Sequence, residues 1–304
     1  MSLSRPQSWS RRSRERLAGY LFLAPDALGL LLFVGIPMVL SLSLSLYSSN
    51  GFGGYRYVGL ANYARLWSDP QFWDSLRVTL SYIGMLVPAL YVSGLGLALL
   101  VRRTNLFNGV MRAMLFLPQM VSLVVVGLVW QMLAADKIGA LPRALAGLGL
   151  GDVSLLGDPA YALISVTVVS VWFLAGFYML IFLGGLQDIP QMYYDAARID
   201  GAGPVTRFWF VTLPMLKPTS LFVLMTSLVA SVAGAQTFDL IWVMTQGGPA
   251  DSTSLTILYI YEQAFQFGAF GYAGAMASVL VAVLLLVTVM LFLATAGGRV
   301  KGVT

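Results

Sequence analysis

Long apolar runs separated by short polar stretches dominate the pattern along the chain. A helix needs about 20 residues to cross the roughly 30 Å of hydrocarbon in a bilayer, and six runs are long enough. They cover residues 17–47, 78–101, 110–134, 160–186, 219–244 and 272–296. The first run is overlong, so its spanning part is expected to begin near Tyr20 and to leave Asp26 close to the inner interface. The pattern predicts an all-α, polytopic membrane protein with six transmembrane helices.

The composition excludes several classes of function. Of the 304 residues, 58% are hydrophobic and 10% are charged, whereas a soluble domain has about 25% charged residues. The chain contains no Cys and no His, which removes disulfides, thiol nucleophiles, Cys/His zinc sites and His-based acid–base catalysis. The residues before Lys137, Lys217 and Lys301 do not fit a phosphate-binding loop. We therefore predict no catalytic residue, no metal site and no ATP hydrolysis by this chain.

Basic residues gather on one side of the predicted spans, and the positive-inside rule makes that side cytoplasmic. The tails 1–16 and 298–304 and the connection between the fourth and fifth spans are therefore predicted to be cytoplasmic. We expect these cations to meet anionic membrane lipid and not nucleic acid, because no base-stacking aromatic residues are interleaved with them. They are Arg5, Arg11, Arg12, Arg14, Arg16, Arg102, Arg103, Arg112, Arg198, Arg207, Lys217, Arg299 and Lys301.

The cytoplasmic connection between the fourth and fifth spans has the pattern of two short helices. Pro190 suits the first turn of a helix, with Asp188 as its cap. The stretch "DGAG" at 200–203 then predicts a turn, because Gly201 and Gly203 tolerate backbone angles that other residues avoid. Pro204 begins the second helix, which the prolines at 214 and 218 are expected to end.

The second of these short helices carries Phe208, Trp209 and Phe210, which is more aromatic surface than a solvated loop favours. Such a cluster marks a membrane interface, a partner or burial against the spans. Two interpretations stay open from the residues alone: a loop packed on its own protein, or a docking site for a partner.

The stretch "GLQDIPQMYYDAARIDGAGPVTRFWFVTLPMLKP" resembles the cytoplasmic coupling loop of permease subunits of binding-protein-dependent ABC importers. The pattern of that family reads E-A-A, two variable residues, D-G-A-G, four variable residues, F, and then L-P. Asp195 stands where the pattern has Glu, which keeps the charge and shortens the side chain by one methylene. The matching positions are Asp195, Ala196, Ala197, Asp200, Gly201, Ala202, Gly203, Phe208, Leu213 and Pro214.

The resemblance covers residues 17–297, with the coupling loop at about 187–217. The stretches "FVGIPMVLSLSLSLYSS", "MRAMLFLPQMVSLVVVGLVWQML" and "FDLIWVMTQGGPADSTSLTILYIYEQAF" are similar to the carbohydrate, maltose-type branch, which also includes importers of glycerol phosphates. The resemblance implies an inner-membrane protein with a second homologous permease, two ATPase subunits that hold ATP and Mg, and an extracytoplasmic solute-binding protein. It also implies that the matching residues from Asp195 to Gly203, with Phe208, contact an ATPase subunit, and that this chain binds no cofactor.

The candidate transport path lies in the fourth and fifth spans. An ionisable residue inside a span is a functional candidate by default, which singles out Asp239. Aromatic residues of the fourth span fall where the family resemblance implies contact with sugar. For all of these residues packing, capping or an interfacial position remains the alternative. The candidates are Trp172, Gly176, Phe177, Tyr178, Gln236, Thr237 and Asp239.

Two hypotheses of different class follow. In the first, the chain is a non-catalytic permease subunit of an ABC importer, and its outer loops "SDPQFWDSL" and "TQGGPADST" either meet the binding protein or are plain solvated turns. In the second, it is a self-contained secondary transporter, which predicts charged relays inside spans and an inverted repeat. The sequence favours the first, since it has no His and no obvious repeat.

Overall fold

The computed structural model describes residues 11–49, 51, 53–149 and 151–296, and Arg5, Arg299 and Lys301 of the predicted cytoplasmic tails lie outside them. The chain divides into two compact units. The first contains the residues up to Trp67 together with Gln263–Ser278, and the second contains Ser68–Glu262 together with the residues from Val279.

The described residues are mostly helical, in agreement with the predicted all-α class. Short π or 3-10 turns lie at Leu31–Gly35, Leu117–Met120, Phe208–Thr212 and Glu262–Gln266, and one hairpin pairs β1 (Tyr47–Ser48) with β2 (Arg56–Tyr57). The α-helices are α1 (Arg11–Leu30), α2 (Ile36–Leu44), α3 (Ala61–Trp67), α4 (Pro70–Leu100), α5 (Leu106–Phe116), α6 (Leu123–Ala134), α7 (Ala140–Gly147), α8 (Pro159–Gln187), α9 (Gln191–Ile199), α10 (Pro204–Arg207), α11 (Leu213–Met215), α12 (Lys217–Ala233), α13 (Ala235–Met244), α14 (Thr256–Tyr261) and α15 (Phe270–Ala296).

Four stretches of helix are long and apolar enough to cross a membrane, and they correspond to the first, second, fourth and sixth predicted spans. Two further apolar helix pairs are bent, one by 94° and the other by 67°, so the described residues hold six spans if each bent pair is one span. The four unbroken stretches are Ala18–Leu44, Pro70–Leu100, Pro159–Gln187 and Phe270–Leu293, and the bent pairs are Leu106–Met120 with Leu123–Ala134 and Pro204–Met215 with Lys217–Val232.

The third and fifth predicted spans are each interrupted within the predicted range. In the third, the backbone becomes extended at Val121, with φ −92° and ψ 144°, after a 3-10 turn that contains Pro118. Proline cannot donate to the helical ladder, which favours a break near it. In the fifth, Gly234 is extended, with φ −70° and ψ 126°, and separates α12 from α13. The apolar composition continues through both breaks, so hydropathy alone does not show them.

The core of the second unit lies where α4 and α8 pack together with α12 and α13. Tyr82, Leu86 and Leu90 of α4 and Met179 and Phe182 of α8 are almost completely buried there. In this core, the hydroxyl of Tyr82 donates a 2.8 Å hydrogen bond to Ser170 Oγ on α8. Polar residues of membrane helices are satisfied across helix pairs in this way, and the bond fixes the register of α4 on α8.

In the first unit, the hairpin and the start of α15 pack closely. A Cβ on Gly271 would overlap the carbonyl oxygen of Tyr47, so only glycine allows this approach. The side-chain amide of Asn62 donates to the carbonyl oxygens of Ser45, at 2.7 Å, and Tyr47, at 3.0 Å. The guanidinium of Arg65 lies 4.0 Å from the centre of the ring of Tyr272.

Candidate functional site

The first half of the predicted cytoplasmic connection forms the short helix α9, as the sequence predicts. Its start differs from the prediction, because Pro190 is itself the N-cap, with ψ 134°, and Asp188 is the C-cap residue of the preceding helix α8. Because the backbone at Pro190 is still extended, α9 begins at Gln191.

The end of α9 is closed by two hydrogen bonds that form a Schellman motif. Gly201 N donates to the carbonyl oxygen of Arg198 at 3.0 Å, and Ala202 N donates to that of Ala197 at 2.8 Å. Gly201 has φ +76°, the left-handed conformation that this motif requires after the C-cap residue Asp200. The predicted turn at 200–203 is therefore confirmed for Gly201.

The second half of the connection differs from the prediction in two details. Gly203 has an ordinary backbone, with φ −71° and ψ 173°, so it does not use the conformational freedom of glycine. The helix that begins at Pro204 passes through the π turn Phe208–Thr212 into α11, and Pro214 lies in the first turn of α11 and does not end the helix. The interruption comes at Leu216, just before α12.

Five of the coupling-loop candidates are exposed. Asp195, Ala196, Asp200, Gly201 and Gly203 are exposed. Asp195 accepts hydrogen bonds from Arg198, at 3.0 Å, and from Gln191, at 3.2 Å, both on the same helix. Asp195 and Arg198 lie on the same helix and both are exposed, so their ion pair does not prevent contact with another molecule.

The remaining coupling candidates are partly buried. Ala197 and Ala202 are half-buried, and Phe208 packs against the core of the second unit. The hydroxyls of Tyr194 and Thr212 lie 3.1 Å apart and join α9 to the π turn. The helix α9 is thus tied to the spans through its inner face.

The aromatic cluster of the loop is divided between burial and exposure. Phe208 is half-buried and makes an edge-on ring contact with Trp209, with the centroids 5.4 Å apart. Trp209 and Phe210 are 57% and 78% exposed. Packing on the protein itself therefore accounts for Phe208, whereas Trp209 and Phe210 are available to a membrane interface or a partner.

The four path candidates on α8 lie on two faces of the helix. Gly176 and Tyr178 are buried, and a Cβ on Gly176 would overlap the backbone of Leu115 on α5. Trp172 and Phe177 are 45% and 41% exposed. Helix packing alone accounts for a glycine at 176, and the contribution of all four residues to a path stays a prediction.

The candidates on α13 follow directly after the break at Gly234. Gln236 is exposed, Thr237 is buried and Asp239 is half-buried. Thr237 Oγ1 donates a 3.1 Å hydrogen bond to the carbonyl oxygen of Ala230 on α12. The side chains of Gln236 and Thr237 line one small cavity.

Two further lining residues of that cavity, Tyr82 and Ser170, were missed from the sequence. Their signal was a hydroxyl inside an apolar run, since polar groups in spans face other helices or a cavity. With Gln236 and Thr237 they bring together four polar side chains from α4, α8 and α13. The cavity measures only about 10 Å³, about the space of one water molecule, and the buried hydroxyls of Tyr82, Ser170 and Thr237 donate within the protein. Of these four side chains, the exposed Gln236 is the one that a ligand can reach in this conformation.

Aromatic rings cluster close to these polar groups. Phe238 and Trp242 of α13 are stacked with centroids 5.8 Å apart, and Tyr261 lies 5.0 Å from Phe238 and 5.3 Å from Trp242. Trp172 of α8 meets Trp130 of α6 at 5.4 Å. Trp130 and Tyr261 are additions to the sequence candidates, and only the fold brings them to these partners.

The second predicted outer loop has an ordered backbone. Thr253 Oγ1 lies 2.8 Å from both Thr245 Oγ1 and the carbonyl oxygen of Gly248, so its single proton can be donated to either oxygen. Nearby, Glu262 is half-buried, and burial together with the charge of Asp251 raises the pKa of its carboxyl group. Among the described residues no group of acidic side chains is placed to hold a metal ion.

The geometry of the loop and the spans matches that of known transport proteins. Residues 73–298 match the family described as the binding-protein-dependent transport system inner membrane component. The chain belongs to this family. The match includes the coupling loop and the spans from the second onwards, and it identifies the chain as a multi-pass component of the inner membrane.

Curated relatives of this inner membrane component align over nearly their whole length. The lactose transport system permease protein LacF of Rhizobium radiobacter is 36% identical over 294 residues, covering 93% of this chain and 96% of the relative. The sulfoquinovosyl glycerol transport system permease protein SmoG of Agrobacterium fabrum is 33% identical, covering 90% and 89%. The trehalose/maltose transport system permease protein MalF of Thermococcus litoralis is 33% identical, covering 92% and 94%.

Solved structures of the same fold confirm the architecture of this inner membrane component. A chain of a bacterial alginate ABC transporter, in complex with an alginate pentasaccharide-bound periplasmic protein, superimposes with a TM-score of 0.80 and 21% sequence identity. The alignment covers 98% of this chain and 100% of that one. The predicted fold class is thereby confirmed.

Proposed function

We propose that the chain is the permease subunit of an ATP-driven importer for a carbohydrate, in which it forms half of the translocation path. Support for the substrate class comes from relatives whose names specify lactose, trehalose or maltose, and a sulfoquinovosyl glycerol. Support from the site comes from the exposed amide of Gln236 and the half-buried carboxylate of Asp239 on a helix that also carries stacked aromatic rings, a combination that suits a ligand with hydroxyls and apolar faces. Membership of a binding-protein-dependent family favours this function over a self-contained secondary transporter.

The observation that carries the proposal is the exposed, rigid end of α9. The Schellman motif at Gly201 fixes the turn that presents Asp195, Ala196 and Asp200 to an ATPase subunit. A partner drives a conformational change only if its contacts differ between the two states, and a rigid element transmits that difference. In this proposal the ATPase subunits, two in number, hold ATP and Mg and perform the hydrolysis.

The connections of α9 suggest how a displacement reaches the path. On one side, three residues separate the end of α8 at Gln187 from Gln191. On the other side, the bond between Tyr194 and Thr212 ties α9 to the π turn that leads into α12. A push on α9 therefore acts on α8, which carries Trp172 and Phe177, and through α12 on the break at Gly234.

The other partners complete the path. A second homologous permease would supply the opposite wall, and a solute-binding protein would deliver substrate at the outer face, where the ordered loop around Thr253 lies. Both termini and the coupling loop are placed in the cytoplasm, supported by the distribution of arginines. Within the path we assign Trp172, Phe177, Gln236 and Asp239 to substrate contact, with Tyr178, Thr237 and Gly176 shaping the wall.

Reconstitution tests the proposal. The full chain is placed in proteoliposomes with its companion permease and ATPase subunits, and uptake is measured with the binding protein outside and ATP inside. We expect uptake of a labelled carbohydrate only when all subunits and ATP are present. Uptake by this chain alone down a proton or sodium gradient would overturn the proposal. Thermal shifts of the binding protein with lactose, maltose, trehalose and glycerol 3-phosphate separate a carbohydrate importer from a glycerol-phosphate importer.

A further inference from the structure

Two adjoining cavities open beside the coupling loop, at the end of the fold where α4 and α8 stop. The space in them that water can enter measures about 450 Å³ and 230 Å³. Arg102, Tyr194 and Arg207 line both cavities, so the two spaces form one recess. The larger cavity is also lined by Gln187, Gln191 and Arg198.

The recess is basic, and within the described part of the chain no acidic side chain lines it. Arg198 is neutralised by Asp195 at 3.0 Å. Arg102 and Arg207 have no carboxylate within 4.0 Å among the described residues. Two uncompensated guanidinium groups therefore face the same space, which raises the local concentration of anions.

Arg112, which is also near the end of α4, is an arginine with a structural role and provides a comparison for Arg102 and Arg207. Arg112 donates through Nε and Nη2 to the carbonyl oxygen of Val101, at 3.0 and 2.7 Å, and through Nη2 to that of Arg103, at 3.0 Å. These bonds satisfy carbonyl groups at the end of α4. Arg102 makes no such bond in the described structure, and Arg207 makes only a 3.5 Å contact with the carbonyl oxygen of Gly203.

The donors of the recess fit a phosphate group. Guanidinium groups bind phosphate through paired, charge-assisted hydrogen bonds, and the side chains of Gln187 and Tyr194 add neutral donors. Exposed apolar side chains lie close along the chain on either side: Leu106 and Phe107 follow Arg102, and Phe210 follows Arg207. The arginines would bind the charged group of an anion with an apolar tail, and these apolar side chains would contact the tail.

We propose that this recess binds the phosphate group of an anionic membrane lipid. Basic pockets between spans at the cytoplasmic surface bind such headgroups, and the acyl chains would lie along the exposed apolar residues. Because Gln191 and Tyr194 of α9 form part of the wall, a bound lipid contacts the coupling helix directly. The lipid therefore restrains α9 relative to the ends of α4 and α8.

Titration of the full chain in detergent with phosphatidylglycerol, followed by native mass spectrometry, tests this proposal. Each arginine is expected to contribute about fivefold in affinity, so R102Q or R207Q should weaken binding about fivefold and the double variant more strongly. R103Q is the matched control. Arg103 is the neighbour of Arg102 and carries the same charge, but its side chain lines neither cavity. R103Q should leave the affinity unchanged.

Four further outcomes decide the assignment. Equal binding of phosphatidylcholine and phosphatidylglycerol, or equal loss in R103Q and in the double variant, would overturn the proposal. Displacement of phosphatidylglycerol by millimolar inorganic phosphate would overturn the lipid source and assign the recess to a free phosphorylated solute. Added salt should weaken lipid binding by the wild type more than by the double variant. Unchanged melting temperatures show that the variants are folded, and because no ATPase subunit is present, the result is independent of the proposed function.

Discussion

Thr237 on α13 donates its hydroxyl to the carbonyl oxygen of Ala230 on α12, 3.1 Å away, across the break at Gly234. The same carbonyl also accepts from Gly234 N, at 3.1 Å. The bond from Gly234 closes the end of α12, and the bond from Thr237 joins the first turn of α13 to it. The break at Gly234 in the fifth predicted span is thereby stabilised by a side chain seven residues away from its partner.

Removal of the Thr237 hydroxyl should weaken the connection between α12 and α13 at this break. We expect Thr237→Val to lower the free energy of unfolding by about 1 kcal/mol, the net value of one buried hydrogen bond. Thr288→Val is the matched control, because Thr288 donates to Leu284, at 2.7 Å, inside the uninterrupted helix α15. Thermal melting of the purified chain in detergent compares the two variants. Equal losses would contradict a special role for Thr237 at the break.

Gly201 gives a sharper test of the coupling loop. A non-glycine residue in the left-handed conformation costs about 1–2 kcal/mol, and a β-branched residue is the least suitable. We expect Gly201→Val to distort the end of α9, so that transport and ATPase stimulation are lost while membrane insertion continues. Gly149→Val is the matched control, since Gly149 has φ +81° just after α7, outside the coupling loop, and nothing lies within 4 Å of an added Cβ. Unaltered uptake by Gly201→Val would exclude a role for the turn in coupling.

The charge of Asp195 can be separated from its contribution to stability. The pair with Arg198 is exposed, so its loss should change the stability by only about 0–1 kcal/mol. In contrast, Asp195→Lys should reduce retention of the ATPase subunit during purification about tenfold or more, as expected when a charged hydrogen bond is replaced by repulsion. Asp74→Lys is the control, because Asp74 forms the same kind of exposed pair with Arg77, at 2.8 Å, on the predicted outer side. Equal retention in both variants would remove Asp195 from the ATPase contact.

The sequence predicted those spans for which a long apolar run is enough to specify an uninterrupted helix. Runs such as 78–101 and 160–186 correspond to uninterrupted helices, because about 20 consecutive apolar residues have few alternatives to a helix in a membrane. The breaks at Val121 and Gly234 were not predicted, since both lie inside runs whose overall hydropathy is that of a span, although Pro118 is a local signal for the first. At Gly234, the hydrogen bond from Thr237 to Ala230 stabilises the break, and hydropathy does not predict such a bond.

The sequence likewise predicted only part of the candidate site. The turn at Gly201 was predicted correctly because it depends on a glycine in the left-handed conformation directly after the helix. The assignments of Asp188 as an N-cap and of Gly203 as a flexible position were wrong, because several neighbouring residues could fill each role. Tyr82 and Ser170 are 88 positions apart, and only the packing of α4 on α8 brings their hydroxyls together.

The raised pKa of Glu262 predicts a dependence of stability on pH. The folded protein holds this proton more tightly than the unfolded chain, in which the pKa has its ordinary value of 4.5. As the pH rises from 4.5 through the raised pKa, the unfolded state therefore binds fewer protons than the native state, and the stability falls. Glu262→Gln removes this ionisation.

We expect Glu262→Gln to be more stable than the wild type at neutral pH, with the difference disappearing near pH 4. Asp251→Asn should give a smaller gain in the same direction, because burial is the larger cause of the shift and the charge of Asp251 is the second. Melting curves of the three proteins between pH 4 and pH 8 measure the effect. A constant difference between Glu262→Gln and the wild type over this range would contradict it.

Gly176 separates helix packing from substrate contact. A Cβ at this position would overlap the carbonyl oxygen of Leu115, so Gly176→Ala must push α5 away from α8, at a cost of about 1–3 kcal/mol. Gly184→Ala is the matched control on the same helix, since nothing lies within 4 Å of its added Cβ. It should raise the stability, because alanine favours the helix over glycine by about 1 kcal/mol. We expect the two melting temperatures to move in opposite directions. If Gly176→Ala instead reduced uptake with no loss of stability, the position would belong to the path and not to the packing of α8.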